Sequence, residues 1–142
     1  MQIACGDPNG GRFFVLRLCQ YPQANVAWLW AAALVDGRFA LFVDNDAPWQ
    51  GEPSVREGMD AAVYRAASGA SVFNFARAGP RAAPASGVAT FSGLSRSRPF
   101  AVSASFQRSA GFTDLLPGRS EQFGLVEAEV RLGGRTVRIA GP

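Results

Sequence analysis

Residues 25–46, NVAWLWAAALVDGRFALFVDND, constrain this chain more than any other stretch. Asp36-Gly37 stands between two long apolar runs. Asp-Gly in that setting favours a type I′ turn, whose two central residues both need φ above zero. A two-residue loop fixes the pairing: Val35 opposite Arg38, Leu34 opposite Phe39, Trp30 opposite Val43, Leu29 opposite Asp44. Alternation then sorts the side chains into two faces. One takes Trp28, Trp30, Ala32, Leu34, Phe39, Leu41 and Val43. The other takes Ala27, Leu29, Ala31, Ala33 and Val35, with Arg38, Ala40, Phe42, Asp44 and Asp46. The first is bulky and apolar, and core packing is its ordinary role. The second is mostly small, with two acids at its open end. A hairpin apolar on both sides is covered on both, or has one side lining a cavity. The competing reading is a buried helix over residues 26–35, since Ala and Leu favour helices and short apolar runs fit either period. The run is too short for a membrane span, which needs ~20 apolar residues.

The rest of the chain repeats this design at lower intensity. Residues 1–11 are polar and end in Asn9-Gly10-Gly11, which reads as a loop or frayed start. Residues 12–21 read as a strand ended by Pro22. Residues 47–60 read as a long loop, broken by Pro48, Gly51, Pro53 and Gly58, and long loops are often lids or binding loops. A second hairpin is expected from 61–68 and 71–77 about Gly69, with Tyr64 sharing a face with Phe73 and Phe75. Residues 78–86 form a linker or crossover, 87–92 a short strand, and 93–98 a polar turn. Residues 99–108 alternate Phe100, Val102, Ala104, Phe106 against Ala101, Ser103, Ser105, Gln107, the half-buried strand pattern. Residues 109–122 read as a loop with a turn at Pro117-Gly118. A third hairpin, 123–132 and 135–140 about Gly133-Gly134, pairs Val130 with Val137, Ala128 with Ile139 and Glu129 with Arg138. The expectation is one all-β domain over residues 1–142: an antiparallel meander of about nine strands, a lipocalin-like barrel, with a β-sandwich as the alternative.

Composition excludes more chemistry than it suggests. At 142 residues the chain is long enough for a real core, and 48% hydrophobic with 18% charged residues is globular. There is no His, so Ser-His-Asp and Cys-His devices and His-ligated zinc are excluded. All 14 basic residues are Arg, which removes Schiff-base and P-loop lysines. An all-Arg set also fits GC-rich coding and a bacterial genome. The arginines are scattered, where a nucleic-acid face wants clustering, so no nucleic-acid partner is expected. Two cysteines, Cys5 and Cys19, form either two thiols or one disulfide, with buried free thiols favoured because nothing marks the chain as secreted. No secretory signal is visible, so the expected location is cytoplasmic, with no membrane association and no cofactor.

Candidate site residues come from the few polar groups among apolar neighbours. Asp44-Asn45-Asp46 is the densest polar cluster, with Asp44 and Asp46 expected on one face. Paired acids there could hold Ca²⁺ or share a proton, and the ordinary reading is a strand end in solvent. Trp49 is the one aromatic of its loop. Tyr64 beside Phe73 could offer a hydroxyl to an apolar ligand, and more often such a Tyr is core. Arg65 and Arg17 lie among apolar neighbours and could meet an anion, against a snorkelling role. With Trp28, Trp30 and Phe42, the ligand-binding set is Trp28, Trp30, Phe42, Asp44, Trp49, Tyr64, Arg65 and Phe73.

In the C-terminal third, Pro117-Gly118-Arg119-Ser120-Glu121 followed by GLVEAEVRLGGRTVRIAGP resembles the first half of the lipocalin-like two-domain superfamily related to carotenoid 1,2-hydratase and fungal Diels–Alderases. The resemblance covers about a third of the chain. It implies a β-barrel for an apolar molecule, one half of a two-barrel architecture that would continue past Gly141-Pro142. The family's His-containing junction has no counterpart here, and no catalytic residue can be carried over. Two functions are expected. One is binding of a small apolar molecule in the barrel, extending to a natural-product cyclase, isomerase or hydratase. The other is a non-enzymatic interaction or assembly domain that buries its second apolar face against another subunit or a second domain.

Overall fold

The computed structural model of the protein describes residues 2–51, 54–56, 59–78, 85–116 and 119–141. Among them the fold is all-β. Eleven strands run in chain order: β1 Gln2–Gly6, β2 Arg12–Tyr21, β3 Val26–Val35, β4 Arg38–Pro48, β5 Ser54–Arg56, β6 Met59–Arg65, β7 Val72–Ala78, β8 Ser86–Ser95, β9 Arg98–Leu116, β10 Arg119–Leu132 and β11 Arg135–Gly141. They form two antiparallel sheets, β1-β2-β3-β4 and β5 to β11, each neighbouring strand following the last in sequence. No helix among the described residues is long and apolar enough to cross a membrane.

The central hairpin has the register its turn dictates. Val35 pairs with Arg38, Leu34 with Phe39, Trp30 with Val43 and Leu29 with Asp44. Asp36 and Gly37 take φ of 49° and 78°, the type I′ requirement. The helix alternative over 26–35 is therefore excluded. The hairpin about Gly69 pairs Tyr64 with Phe73, and the last hairpin pairs Val130 with Val137, Ala128 with Ile139 and Glu129 with Arg138.

Which face of the central hairpin is inside differs from the expectation. The small face is the core: Ala27, Leu29, Ala31, Ala33, Val35 and Ala40 are each no more than 1% exposed. Trp28, Trp30 and Leu34 are half-buried, and Phe39, Leu41 and Val43 are exposed. Packing explains the inversion. The seven-stranded sheet sends Tyr64, Phe73, Phe91 and Phe100 into the shared core, all nearly or fully buried. Large rings on one sheet need small partners on the other to reach close packing, and the alanines supply them. Phe42 meets Phe91 at 4.8 Å, and Phe91 meets Phe100 at 5.3 Å. What covers the alanine side of the hairpin is the second sheet.

Other boundaries also move. Residues 2–6, expected as a loop, are a strand paired with β2, and its alternation buries Ile3 and Cys5. A five-residue strand at the chain's start carries too short a pattern to stand out beside Asn9-Gly10-Gly11. Within 47–60, expected as one loop, the chain pairs as β5 and the start of β6, and β4 runs on to Pro48. The expected short strand 87–92 and the turn 93–98 are one longer strand, β8, closed by a two-residue turn at Arg96-Ser97 with φ of 48° and 64°. That turn has left-handed geometry without glycine, so the dipeptide signal is missing. Of residues 109–122, expected as a loop, 109–116 and 119–122 continue β9 and β10 as a ribbon. The linker expected at 78–86 and the turn at Pro117-Gly118 fall largely outside the described residues.

The two sheets are tied at several points outside the apolar contacts. The Leu41 amide at the edge of β4 donates to Ser95 Oγ on β8 at 3.0 Å. Gln20 Nε2 donates to the Tyr64 hydroxyl across the core. Asp36 accepts a forked pair from Arg12, at 2.9 and 3.3 Å, and lies 3.6 Å from Arg135 on β11. Cys5 and Cys19 are free thiols. Cys5 points into the core and Cys19 lies on the outer face of β2, so the sheet separates them.

Candidate functional site

The eight candidate residues do not form one site. Phe42, Tyr64 and Phe73 lie in the shared core, with Tyr64 and Phe73 0% exposed and Phe42 packed against the cluster. Tyr64 keeps its hydroxyl satisfied through Gln20, as a buried phenol must. Arg65 pairs with Val72 in register and is exposed. Trp49 is half-buried, its amide donating to the Asn25 carbonyl at 3.3 Å.

Asp44 and Asp46 are not on one face. Ala27 pairs with Ala47 but Leu29 with Asp44, so Asn45 and Asp46 together oppose Trp28. This is a β-bulge, which adds one residue and resets the alternation. Ala47 takes the buried position that strict alternation would have given Asp46 or Pro48. Asp44 becomes a connector: its carboxylate accepts from the Asp46 amide at 2.8 Å and from the Ala67 amide in the β6–β7 turn at 2.7 Å. Among the described residues no three acidic or cysteine side chains gather as a metal site.

Trp28 and Trp30 belong to a different feature, the outer face of β1–β4. The register assembles it. Phe13 pairs with Leu34 and Leu34 with Phe39; Val15 with Ala32 and Ala32 with Leu41; Arg17 with Trp30 and Trp30 with Val43. The first two rows are apolar; Arg17 and Gln2 enter the third, and in the next row Trp28 stands opposite Asn45 and Asp46. Phe39 is 57% exposed, Leu41 49%, Val43 48% and Tyr21 39%. At one end the side chains form a ladder. Tyr21 lies 4.8 Å from Trp28, the Trp28 and Trp30 rings are parallel within 6° at 6.2 Å, and the Arg17 guanidinium sits 4.9 Å from the Trp30 ring. The bulge supplies the anchor: Trp30 Nε1 donates to Asn45 Oδ1 at 2.8 Å. Arg17 Nε also donates to Cys19 Sγ at 3.1 Å. At the other end Phe13 and Phe39 meet at 6.5 Å.

The outer face of β5–β11 is built differently. Its exposed apolar residues stand among polar ones: Val88 pairs with Ser105, Val63 with Asn74, and Leu125 with Gln107. One open depression of about 330 Å³ lies there, lined by Ser86, Val88, Ser105, Phe106, Leu125 and Glu127 among others.

The sequence contained the signal for the apolar outer face. Alternate residues of β2, Phe13, Val15, Cys19 and Tyr21, are apolar on the side that register places beside Trp28 and Trp30. What periodicity lacks is the sign of the face, because both faces of β3 are apolar. Comparison with protein families, curated proteins and solved structures returns no match for this chain.

Proposed function

We propose that this protein is a non-enzymatic assembly domain that buries the outer face of β1–β4 against a second copy of itself. The observation that carries the reading is the unbroken apolar register Phe13–Leu34–Phe39, Val15–Ala32–Leu41 and Trp30–Val43 on a sheet face open to solvent. Single exposed apolar residues are ordinary on protein surfaces, but contiguous patches beyond a few hundred Å² mark contact sites. The apolar rows run across β2, β3 and β4, and three strands at ~4.8 Å spacing with ten residues at ~3.3 Å give a face of roughly 15 by 30 Å, or ~450 Å² in projection. That is above the few hundred Å² that marks a contact site and about half of the ~800 Å² per partner of a standard interface, so the surface around it joins the contact. Arg17 is the one charge in the centre, and it lies against Trp30, so two such faces meet without opposed free charges. A two-fold pairing of one face with its copy is the commonest closed arrangement.

The test is molar mass by size-exclusion chromatography with light scattering. Leu41→Arg lowers the assembled mass, whereas Ser103→Arg on the outer face of β9 leaves it unchanged. A wild-type protein that stays monomeric at the highest soluble concentration overturns the reading.

A second reading is favoured by one polar pair, the buried Tyr64 hydroxyl and the half-buried Gln20. They meet at the margin of the core to which Tyr64 and Phe73 belong. A small apolar ligand held between the sheets, as in a lipocalin-like barrel, would set its polar end on that pair. The consecutive strand order fits such a meander, and so does the approach of Gly141 on β11 to Cys5 on β1. Titration with retinol or a fluorescent fatty acid tests it. Saturable binding weakened by Tyr64→Phe supports this reading, and no saturable signal ends it.

A further inference from the structure

We infer that the end of the fold where β2, β4, β9 and β11 begin is an anion site, which takes a small ligand carrying several linked phosphate groups. That end is separate from the outer face of β1–β4, and neither site needs the other. A repeat in the sequence marks it. Each of three tight turns is followed at once by arginine: Asp36-Gly37-Arg38, Arg96-Ser97-Arg98 and Gly133-Gly134-Arg135. β2 opens on arginine as well, so β2, β4, β9 and β11 all begin with one.

Register puts these four side chains on the inner sides of their sheets. Arg12 and Arg38 both pair with Val35, which is 1% exposed. Arg98 pairs with Ser95 and Arg135 with Leu132, each 7% exposed. Cross-strand partners share a face, so all four arginines stand at the rim of the core, in the last row before the turns. Contacts between the elements bring the rows together. Asp36 binds Arg12 at 2.9 Å and lies 3.6 Å from Arg135. Leu41, three residues from Arg38, donates its amide to Ser95, the partner of Arg98. The Gly133 amide donates to the Pro99 carbonyl, next to Arg98, at 3.3 Å. Arg12 and Arg38 stand two strands apart, ~10 Å, and packed sheets lie ~10 Å apart, so four long side chains reach a common centre.

The charge balance singles out this end. Five arginines, Arg12, Arg38, Arg96, Arg98 and Arg135, stand there with Asp7 and Asp36, a surplus of three that equals the net charge of the whole chain. Glu129 does not offset it, because Arg131 holds it at 2.8 Å. Among the described residues, the exposed Arg38, Arg96 and Arg98 side chains form no ion pair. Charge of one sign gathered at one mouth draws anions to it. Arginine adds geometry, since its planar fork binds phosphate oxygens two at a time. The cluster is compact and has no row of further arginines leading away from the rim. It therefore fits a small polyvalent anion, whereas a nucleic-acid backbone needs contacts along its length.

The experiment is calorimetric titration with sodium tripolyphosphate at low salt. The proteins are wild type, Arg38→Gln combined with Arg98→Gln, Arg108→Gln and Asp36→Asn. Arg108 lies ten residues further along β9, about 33 Å from Arg98, and serves as the control. Wild type binds one anion per chain saturably, the double change weakens binding at least tenfold, and Arg108→Gln stays within twofold. Asp36→Asn binds several-fold more tightly, because it removes the acid that competes for Arg12 and Arg135. No saturable heat in wild type overturns the inference. So does an equal loss in Arg108→Gln, which marks general charge attraction, or equal affinity for sulfate at matched ionic strength, which means that linked phosphates are not read. Should the double variant lose the wild-type circular dichroism, Asp36→Asn decides, and unchanged or weaker binding overturns the site. A single-stranded oligonucleotide that binds more tightly than tripolyphosphate, and loses as much in the double variant, gives the arginines to nucleic acid and overturns the small ligand. The same result with phosphatidylserine vesicles gives them to a membrane surface and overturns it likewise.

Discussion

The outer faces of the two sheets are made of the same backbone geometry and carry opposite surfaces. On β1–β4 the rows across the sheet are Phe13–Leu34–Phe39 and Val15–Ala32–Leu41. On the larger sheet the corresponding rows read Thr90–Ser103–Glu129, with Asn74 donating to Thr90 Oγ1 at 3.1 Å. The larger sheet can stand in water and the smaller one cannot do so comfortably. The contrast extends inward. The sheet with aromatic residues outside has alanines inside, and the sheet with a polar outside sends rings into the core. Ring size alone therefore does not locate the core here; the opposite sheet decides which face each strand can bury.

Truncating one ring on each side of the smaller sheet gives the largest expected effect. Phe91→Ala removes a ring 2% exposed that touches Phe42 and Phe100. It costs about 3–5 kcal/mol in denaturant unfolding, since the cavity adds to the lost transfer energy. Trp30→Ala removes a larger side chain but a half-buried one, stacked on Trp28 and Arg17. Its cost under monomeric conditions is about 1 kcal/mol, the scale of such aromatic contacts. A Trp30→Ala loss equal to that of Phe91→Ala would mean that the aromatic face is core in the isolated domain.

Enlarging two neighbouring alanines tests the same contrast with a smaller change. Ala31 and Ala32 are adjacent in β3, one 0% exposed and one half-buried on the outer face. Ala31→Leu forces three carbons into a filled core and costs about 1–3 kcal/mol. Ala32→Leu lies within about 0.5 kcal/mol of wild type, as substitutions away from such constraints do. Thermal melts of the two single variants, run side by side at low concentration, give the comparison directly. A neutral Ala31→Leu would reveal unfilled space behind β3 and favour the interior ligand reading.

The hairpins were legible in the sequence because their turns are encoded locally. Asp36-Gly37 and Gly133-Gly134 fix pairing through φ, and the pairs they dictate are present, in the central hairpin as far as Leu29 with Asp44. Three things were not legible, for different physical reasons. The side of β3 that faces inward depends on rings from Tyr64 to Phe100, in strands that come later in the chain. The bulge at Asn45 and Asp46 is one inserted residue, and nothing in D-N-D distinguishes it from regular strand, so the acids were expected on one face. The Arg96-Ser97 turn uses left-handed φ at residues that favour it weakly, so its position had no glycine to mark it. The candidate site followed the same pattern. Trp28 and Trp30 stand out in the sequence by their size, while Phe13, Val15 and Leu41, which make the face contiguous, emerge only from the register between strands.

The smallest effect concerns the seam between the two sheets at the tip of the central hairpin. Asp36 carries the forked bond from Arg12 on β2 and lies beside Arg135 on β11. The hydrogen bond from Arg12 is the main reason its carboxyl sits below the ordinary aspartate range; the charges of Arg12, Arg135 and Arg38 add to it, and partial desolvation opposes them. A carboxyl whose folded-state pKa is depressed stabilises the fold above its unfolded value, near ~3.9, and that contribution is lost as pH falls through the folded value. Asp36→Asn therefore melts slightly below wild type at pH 7, and the gap closes as pH is lowered beneath 4. It also narrows in high salt, because the group is exposed to solvent. The choice of Asn separates charge from turn geometry. Asp36 has φ of 49°, and Asn tolerates that left-handed conformation as readily as Asp, so the type I′ turn survives the substitution. A gap that persists unchanged at pH 3 would assign the effect to the turn and remove the ion pairs as a joint between the sheets.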